Sequence, residues 1–201
     1  MAGHSGNVAV SGGMDCKNAA DLLFDGHTMI SIRRIHLGEG QLFKELRLAS
    51  LKESPSAFLS TYESALGRSR ESWNTQADST AEGKDRCTFI AFSDGFPVGI
   101  AAIYRDNKKK EEGEILQVWV SPNFRGSRVA WELVETILQW SEENGFQRVL
   151  ARITPGNDRA LRFYGKCGFG LADPASCDAL GNRVLVKEII VEPAHAPAGD
   201  A

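Results

Sequence analysis

The chain has 201 residues, enough for one domain with a sizeable core, and its 42% hydrophobic and 24% charged content is that of a globular protein. A formal charge of -3 argues against a nucleic-acid binder. The apolar runs are too short to cross a bilayer, and no basic start followed by an apolar block marks a secretory signal. Cys16, Cys87, Cys167 and Cys177 form no C-x-x-C pair. Free thiols in a reducing cytoplasm are therefore expected, and no zinc site.

Residues 1–28 are rich in Gly, Ala and Ser with no sustained period, and read as a flexible leader. "MISIRRIHL" alternates from Met29 and predicts a first strand. "EGQLFKELRLASLKE" sets Leu42, Phe43, Leu46 and Leu51 near helical spacing. A second helical region, "SAFLSTYESALGRSRESWNTQA", is expected to break at Gly67. "CTFIAFSDG" and "FPVGIAAIYRD" predict an antiparallel hairpin turning at Ser-Asp-Gly. "NKKKEEGE" reads as a solvated charged turn, and "EILQVWV" as a strand buried on both faces apart from Gln117.

The second half is more regular. From Val129 to Asn144 the apolar positions Ala130, Leu133, Val134, Ile137, Leu138 and Trp140 form one helical stripe, and Gly145 is placed to end the helix. "QRVLARI" is the next strand. Asn157 can cap a short helix, "DRALRFYGKC", that Gly168 ends. "NRVLVKEIIV" closes a domain expected over residues 29–191, and residues 192–201 read as a tail. The order is that of an α/β fold with a mixed sheet, whose strand-helix-strand near residues 114–153 supplies a parallel crossover.

Two stretches carry chemistry. In "SPNFRGSRVAWELVETILQW" a helix beginning near Val129 presents unpaired N–H groups and its positive dipole end to the preceding turn. Gly126 allows close backbone approach, and Arg125 and Arg128 add positive charge, so the turn suits an anion. A plain strand-to-helix connection with surface arginines satisfies the same residues. The stretch is neither a P-loop nor a dinucleotide fingerprint. In "GNDRALRFYGKCGF" seven residues separate Asn157 from Tyr164, placing them on nearly one helix face, about 10 Å apart, with Ala160 and Leu161 between. That arrangement can line a narrow polar slot; a capping Asn and a core-edge Tyr are the plainer alternative.

Taken in order, a strand with Trp-Val-x-Pro, Arg-Gly-x-x-x-Ala opening a helix, a further strand, and Asn-x-x-Ala-x-x-x-Tyr-x-x-x-Gly-Phe resemble the GNAT superfamily of acetyl-CoA-dependent N-acetyltransferases. The likeness covers roughly residues 29–191 and is sharpest over 114–169. It implies a mostly antiparallel mixed sheet with helices on both faces. It further implies that the backbone along Val118, Trp119 and Val120 pairs with the pantetheine arm of acetyl-CoA. The turn formed by Arg125, Gly126, Ser127, Arg128, Val129 and Ala130 would hold the pyrophosphate. Asn157 and Ala160 would contact the pantetheine region, and Tyr164 would stand beside the sulfur. The N-terminal helices would shape the acceptor site. Arg128 departs from the family pattern by standing where a glycine is expected; its side chain either crowds a phosphate or reaches one.

The implied activity is direct transfer of an acetyl group to a primary amine, on a small molecule or a protein, in the cytoplasm and without a metal; family members are often homodimers. An amine near pKa 10 must lose a proton before attack. Glu114 is the candidate base, with Glu63 and Glu71 further off on the second helical region. A backbone N–H near Val118 would stabilise the oxyanion, and Tyr164 would protonate the departing thiolate. Cys167 reads as a buried thiol rather than a nucleophile. His36 is expected to have no role, and His4, His27 and His195 fall in the leader and tail. The alternative is a CoA-binding or regulatory domain that keeps the fold without turnover.

Overall fold

Short polar residues start three of the helices. Thr61, Ser69 and Asn157 each accept, through the side chain, an N–H three residues on, at 3.2, 3.1 and 3.1 Å. The computed structural model describes residues 29–172 and 177–189; the leader over 1–28 and the tail over 192–201 lie outside them. The elements are β1 (Ile30–Arg34), α1 (Gly40–Glu53), a 3-10 turn (Pro55–Ala57), α2 (Tyr62–Leu66), α3 (Arg70–Ala81), β2 (Arg86–Ser93) and β3 (Phe96–Arg105). They continue with β4 (Glu112–Val120), a second 3-10 turn (Pro122–Phe124), α4 (Val129–Glu143), β5 (Arg148–Ile153), α5 (Asp158–Lys166), β6 (Gly170–Leu171) and β7 (Arg183–Glu188). The second helical region divides into α2 and α3 at Gly67, as the sequence predicts.

Seven strands form one sheet in the order β1-β2-β3-β4-β5-β7-β6, antiparallel throughout except for the parallel pair β4–β5 joined by α4. β6 is too short for an alternating pattern and was not legible in the sequence. The charged turn is shorter than expected. Glu112 already belongs to β4, only 5% exposed, with its carboxylate bonded to Arg148 and to Lys109 at 3.3 Å. A buried carboxylate needs such partners, so it is not a solvated turn residue.

Two apolar cores sit on opposite faces of the sheet. On one, Phe43 and Leu51 of α1 and Trp73 of α3 pack on Ile90, Ile100 and Trp119. On the other, α4 inserts Val129, Leu133, Val134, Ile137 and Leu138 against Ile103, Phe146 and Val149. The buried stripe of α4 also includes Ser141, while Ala130 and Trp140 lie at its margins. Each fully buried side chain of this size contributes about 1.5–3 kcal/mol. β4 approaches Phe146 so closely that a Cβ on Gly113 would lie 2.5 Å from its ring.

The middle of β4 is irregular. Ile100 pairs with Trp119 and Ala102 with Leu116, so β4 carries one residue more than β3 between these pairs. Gln117 lies within this bulge at φ +59. The parallel pairing of β4 with β5 ends at Ile115 and Ala151. Leu116 and Val118 are consequently half-buried, where the sequence predicts burial on both faces apart from Gln117, which is half-buried as well.

Two substitutions test this packing. Gly113→Ala is expected to lower stability by about 1–3 kcal/mol through overpacking against Phe146. Gln117→Val is expected to cost about 1–2 kcal/mol, because a β-branched residue resists the left-handed conformation, whereas Gln117→Gly stays within about 1 kcal/mol of the parent. Urea unfolding midpoints at unchanged slope read each effect.

Candidate active site

Beyond Ile115 the edge of β4 that faced β5 has no strand partner among the described residues, and a cleft opens there. It holds a cavity of about 550 Å³ bounded by Val118, Trp119 and Val120 of β4, the turn after it, and α5. A second cavity of about 320 Å³ lies on the α1 side. Ala57, Phe58, Val118, Asn157 and Ala160 line both, so the two meet there.

The larger cavity contains most of the residues expected to bind a cofactor. Arg125, Gly126, Ser127 and Ala130 line it, with Gly126 in the left-handed region at φ +84. Among the described residues no acceptor is paired with the amides of Gly126, Ser127 and Arg128. The N-cap residue of α4, Arg128, makes no side-chain cap bond, and the Val129 N–H reaches only Ser127 Oγ at 3.4 Å. The α4 helix thus presents an uncapped N-terminus beside the cavity, and its dipole favours an anion there.

The two arginines of this turn behave differently. Arg125 turns inward and forms a two-pronged pair with Glu53 at the end of α1; Nη1 donates to Oε1 at 2.9 Å, and its Nε donates to the Val120 carbonyl at 3.2 Å. Hydrogen bonding from Arg125 holds the Glu53 carboxyl down to about 2, against the opposing effect of burial. Arg128 turns outward, 77% exposed at its side chain, 3.6 Å from Glu132 and 5.0 Å from the centre of the Trp131 ring. Neither Arg128 nor Val129 lines the cavity; the Val129 side chain enters the core. Trp119 lines it, while its indole N–H donates to Glu53 at 3.1 Å.

Asn157 and Ala160 face both cavities from the start of α5, and Tyr164 faces the smaller one from the next turn. Leu161 packs against the core instead. Tyr164 is 7% exposed and edge-on to Phe163 and Phe169. Burial pushes its phenol above the ordinary value. Glu114 lines the smaller cavity and is bonded to Arg152. Glu63 and Glu71 are exposed and line neither of these two cavities. Cys167 is a free thiol, 4% exposed, pushed up to about 11 by burial, and so stays protonated at neutral pH. His36 is exposed. Among the described residues no three His, Cys, Asp or Glu side chains cluster as metal ligands, and no helix is long and apolar enough to cross a membrane.

Sequence reasoning missed several lining residues. Arg159, Arg162 and Lys166 bring three cations from α5 to the larger cavity. Their spacing of three and four residues, one face of a helix, was the available signal. Arg47 and Asn182, both buried, line the smaller cavity with Arg152. Arg47 falls on the apolar face of α1, among Phe43, Leu46, Ser50 and Leu51. A charge at a core position of an amphipathic helix is itself a signal.

Comparison with known proteins places this fold in a family. The model of the acetyltransferase (GNAT) family matches residues 50–169. An uncharacterized N-acetyltransferase of Mycobacterium bovis is 31% identical over 84 residues, 42% of this chain and 53% of that protein. The chain spans about two fifths to a half of the length of the curated relatives it matches. Among solved structures, a GNAT-family acetyltransferase from Streptococcus pneumoniae superposes with a TM-score of 0.67 at 18% identity, over 80% of this chain and 99% of that one. The PaiA N-acetyltransferase of Thermoplasma acidophilum, solved in complex with coenzyme A, gives 0.66 at 17% identity over 80% and 99% of the two chains. With more than half of its residues matched by the family model, on a fold that these structures share, the chain belongs to the acetyltransferase (GNAT) family.

Proposed function

We propose that the protein transfers an acetyl group from acetyl-CoA directly to a primary amine. The observation that carries this reading is the unpaired edge of β4, which ends in an uncapped helix N-terminus and opens on a cavity of about 550 Å³. An extended amide-bearing arm can add to such an edge as a strand, and the amides that follow can take a diphosphate. The PaiA enzyme with this fold was solved with coenzyme A, which is consistent with the fit.

In this reading the backbone of Val118 and Val120 holds the pantetheine arm. The amides of Gly126, Ser127 and Arg128 hold the pyrophosphate, and Arg159, Arg162 and Lys166 add charge for the phosphates. Asn157 caps α5 through Oδ1 accepting the Ala160 N–H at 3.1 Å, which leaves its amide N–H groups for the arm. The thioester then lies where the two cavities meet, beside Val118 and Ala160. The acceptor amine comes from the smaller cavity, loses a proton to Glu114 or to a water it holds, and attacks the carbonyl carbon. The Val118 N–H stabilises the oxygen as it becomes negative. The carbon–sulfur bond breaks, and Tyr164 Oη gives its proton to the departing sulfur.

Calorimetric titration with acetyl-CoA tests the cofactor site. Micromolar binding is expected for the parent protein. Gly126→Ala is expected to weaken it by about tenfold or more, since a side chain at φ +84 is strained and faces the phosphates. Arg128→Gly is expected to leave it within about threefold, since that side chain points away. Silence from the parent and from Arg128→Gly would overturn the assignment; binding by Arg128→Gly alone would mean that this arginine blocks the turn.

Thiol release from acetyl-CoA with an amine panel tests turnover. Tyr164→Phe is expected to lower kcat by about 10²-fold with little change in acetyl-CoA affinity. Because burial raises the Tyr164 phenol, its acid form persists to higher pH, and loss of rate through its ionisation is expected only above its ordinary value of 10. Unchanged kcat in Tyr164→Phe would remove this residue from the chemistry.

A further inference from the structure

The smaller cavity contains a group that the transfer chemistry leaves unexplained. Arg47 projects from α1 into the space beneath β4, only 6% exposed. Its Nη1 donates to Ser50 Oγ at 3.0 Å, and its guanidinium lies 4.9 Å from the centre of the Phe58 ring. A guanidinium offers five N–H donors, and one is used in this way. Among the described residues no carboxylate forms an ion pair with it, although Arg33, Arg105, Arg125, Arg128, Arg148 and Arg152 each have one. Burial, with Arg68 nearby adding repulsion, pushes Arg47 down to about 10, so it remains charged at neutral pH. A buried cation without an anion is costly, and a leucine or methionine at the same helix position would fill the core without that cost. Nothing in the packing of α1 calls for the charge.

The rest of the cavity wall favours a zwitterion. Glu114 supplies a carboxylate, and Arg152 beside it is already bonded to both Glu114 and Asp178. Asn182, 2% exposed, lines the same cavity; its amide nitrogen donates to Asp178 at 3.0 Å, while its Oδ1 has no partner among the described residues. The wall therefore offers one cation whose anion is missing, together with a carboxylate and an amide oxygen that suit an ammonium group. At about 320 Å³ the space fits a small molecule.

We propose that the acceptor is a small aminocarboxylate, an amine bearing a free carboxylate, and that Arg47 binds that carboxylate so that the amine faces the thioester near Val118. This rests on the acetyltransferase reading for the transfer step but not for the binding step. It separates the acceptor from a protein lysine, which carries no carboxylate of its own, and from polyamines, whose cations Arg47 would repel. Arg47 acts here as a specificity-determining residue and takes no part in bond making.

The experiment has two arms on the full chain. In the first, free amino acids, their carboxamides, the matching decarboxylated amines and matching aminophosphonates are titrated into the protein with coenzyme A present. In the second, the same compounds are assayed for thiol release from acetyl-CoA. Free amino acids are expected to bind and react, and the carboxamides and decarboxylated amines to lose about 10²-fold in kcat/KM. Arg47→Met is expected to erase that preference by raising KM for the carboxylates, while acetyl-CoA affinity and the melting temperature are kept or improved. Arg47→Lys is expected to restore the preference in part. Amino acid binding that depends on Arg47 without thiol release from any amine would sink the acetyltransferase reading and keep the carboxylate site. Equal use of carboxamides, a preference for phosphonates alone, or an unchanged KM in Arg47→Met would overturn the proposal even if acetyl transfer is observed. Failure of every aminocarboxylate to bind would overturn it as well.

Discussion

The site depends on one constraint: β4 cannot remain paired with β5 beyond Ile115. The extra residue at Gln117 redirects β4 while its other edge stays bonded to β3 on both sides of the bulge. A regular strand would have continued the ladder, satisfied its own amides and closed the cleft. The bulge leaves a polar edge in a half-buried place, which a protein tolerates only if something else bonds it. The left-handed backbone at Gln117 is strain retained at the position where the fold must open.

The two faces of the sheet divide the labour around this opening. The core under α4 fixes the end of β4, the turn after it and the first turn of the helix, where Val129 is buried beside an exposed Arg128. The core under α1 and α3 fixes Arg47 and Trp119. Glu53 couples the two, since its carboxylate takes bonds from both Arg125 and Trp119. An arginine fork on a carboxylate fixes direction as well as distance, so the end of α1 orients the turn that α4 begins.

Much of this was legible in the sequence because it is local. The apolar stripe of α4, the Asn157 cap, the Gly67 break and the Ser-Asp-Gly hairpin each follow from side chains within one or two turns of each other. The left-handed turn at Gly126 is local in the same way. The bulge was not, because Gln117 carries no signal for a left-handed backbone; its conformation comes from sheet pairing on one side only. Glu112 looked like part of a charged turn because its partner, Arg148, is 36 residues away. Arg47 stands out in the sequence as a charge on an apolar helix face, but that no carboxylate among the described residues pairs with it depends on tertiary packing. Which cations of α5 face the cavity likewise depends on how that helix sits against β5.

The separation of the two cores bears on how such a protein can change. Arg47 and Asn182, proposed to select the acceptor, stand on the smaller cavity, whereas Arg125, Gly126 and Ser127, proposed to hold the cofactor, stand on the larger one. Arg47 rides on α1, which packs in one core, and the turn leads into α4, which packs in the other, while Ala57, Phe58, Val118, Asn157 and Ala160 line both cavities. If the proposed roles hold, side chains of α1 can be exchanged to suit a different acceptor while the helix that carries the turn stays packed in its own core.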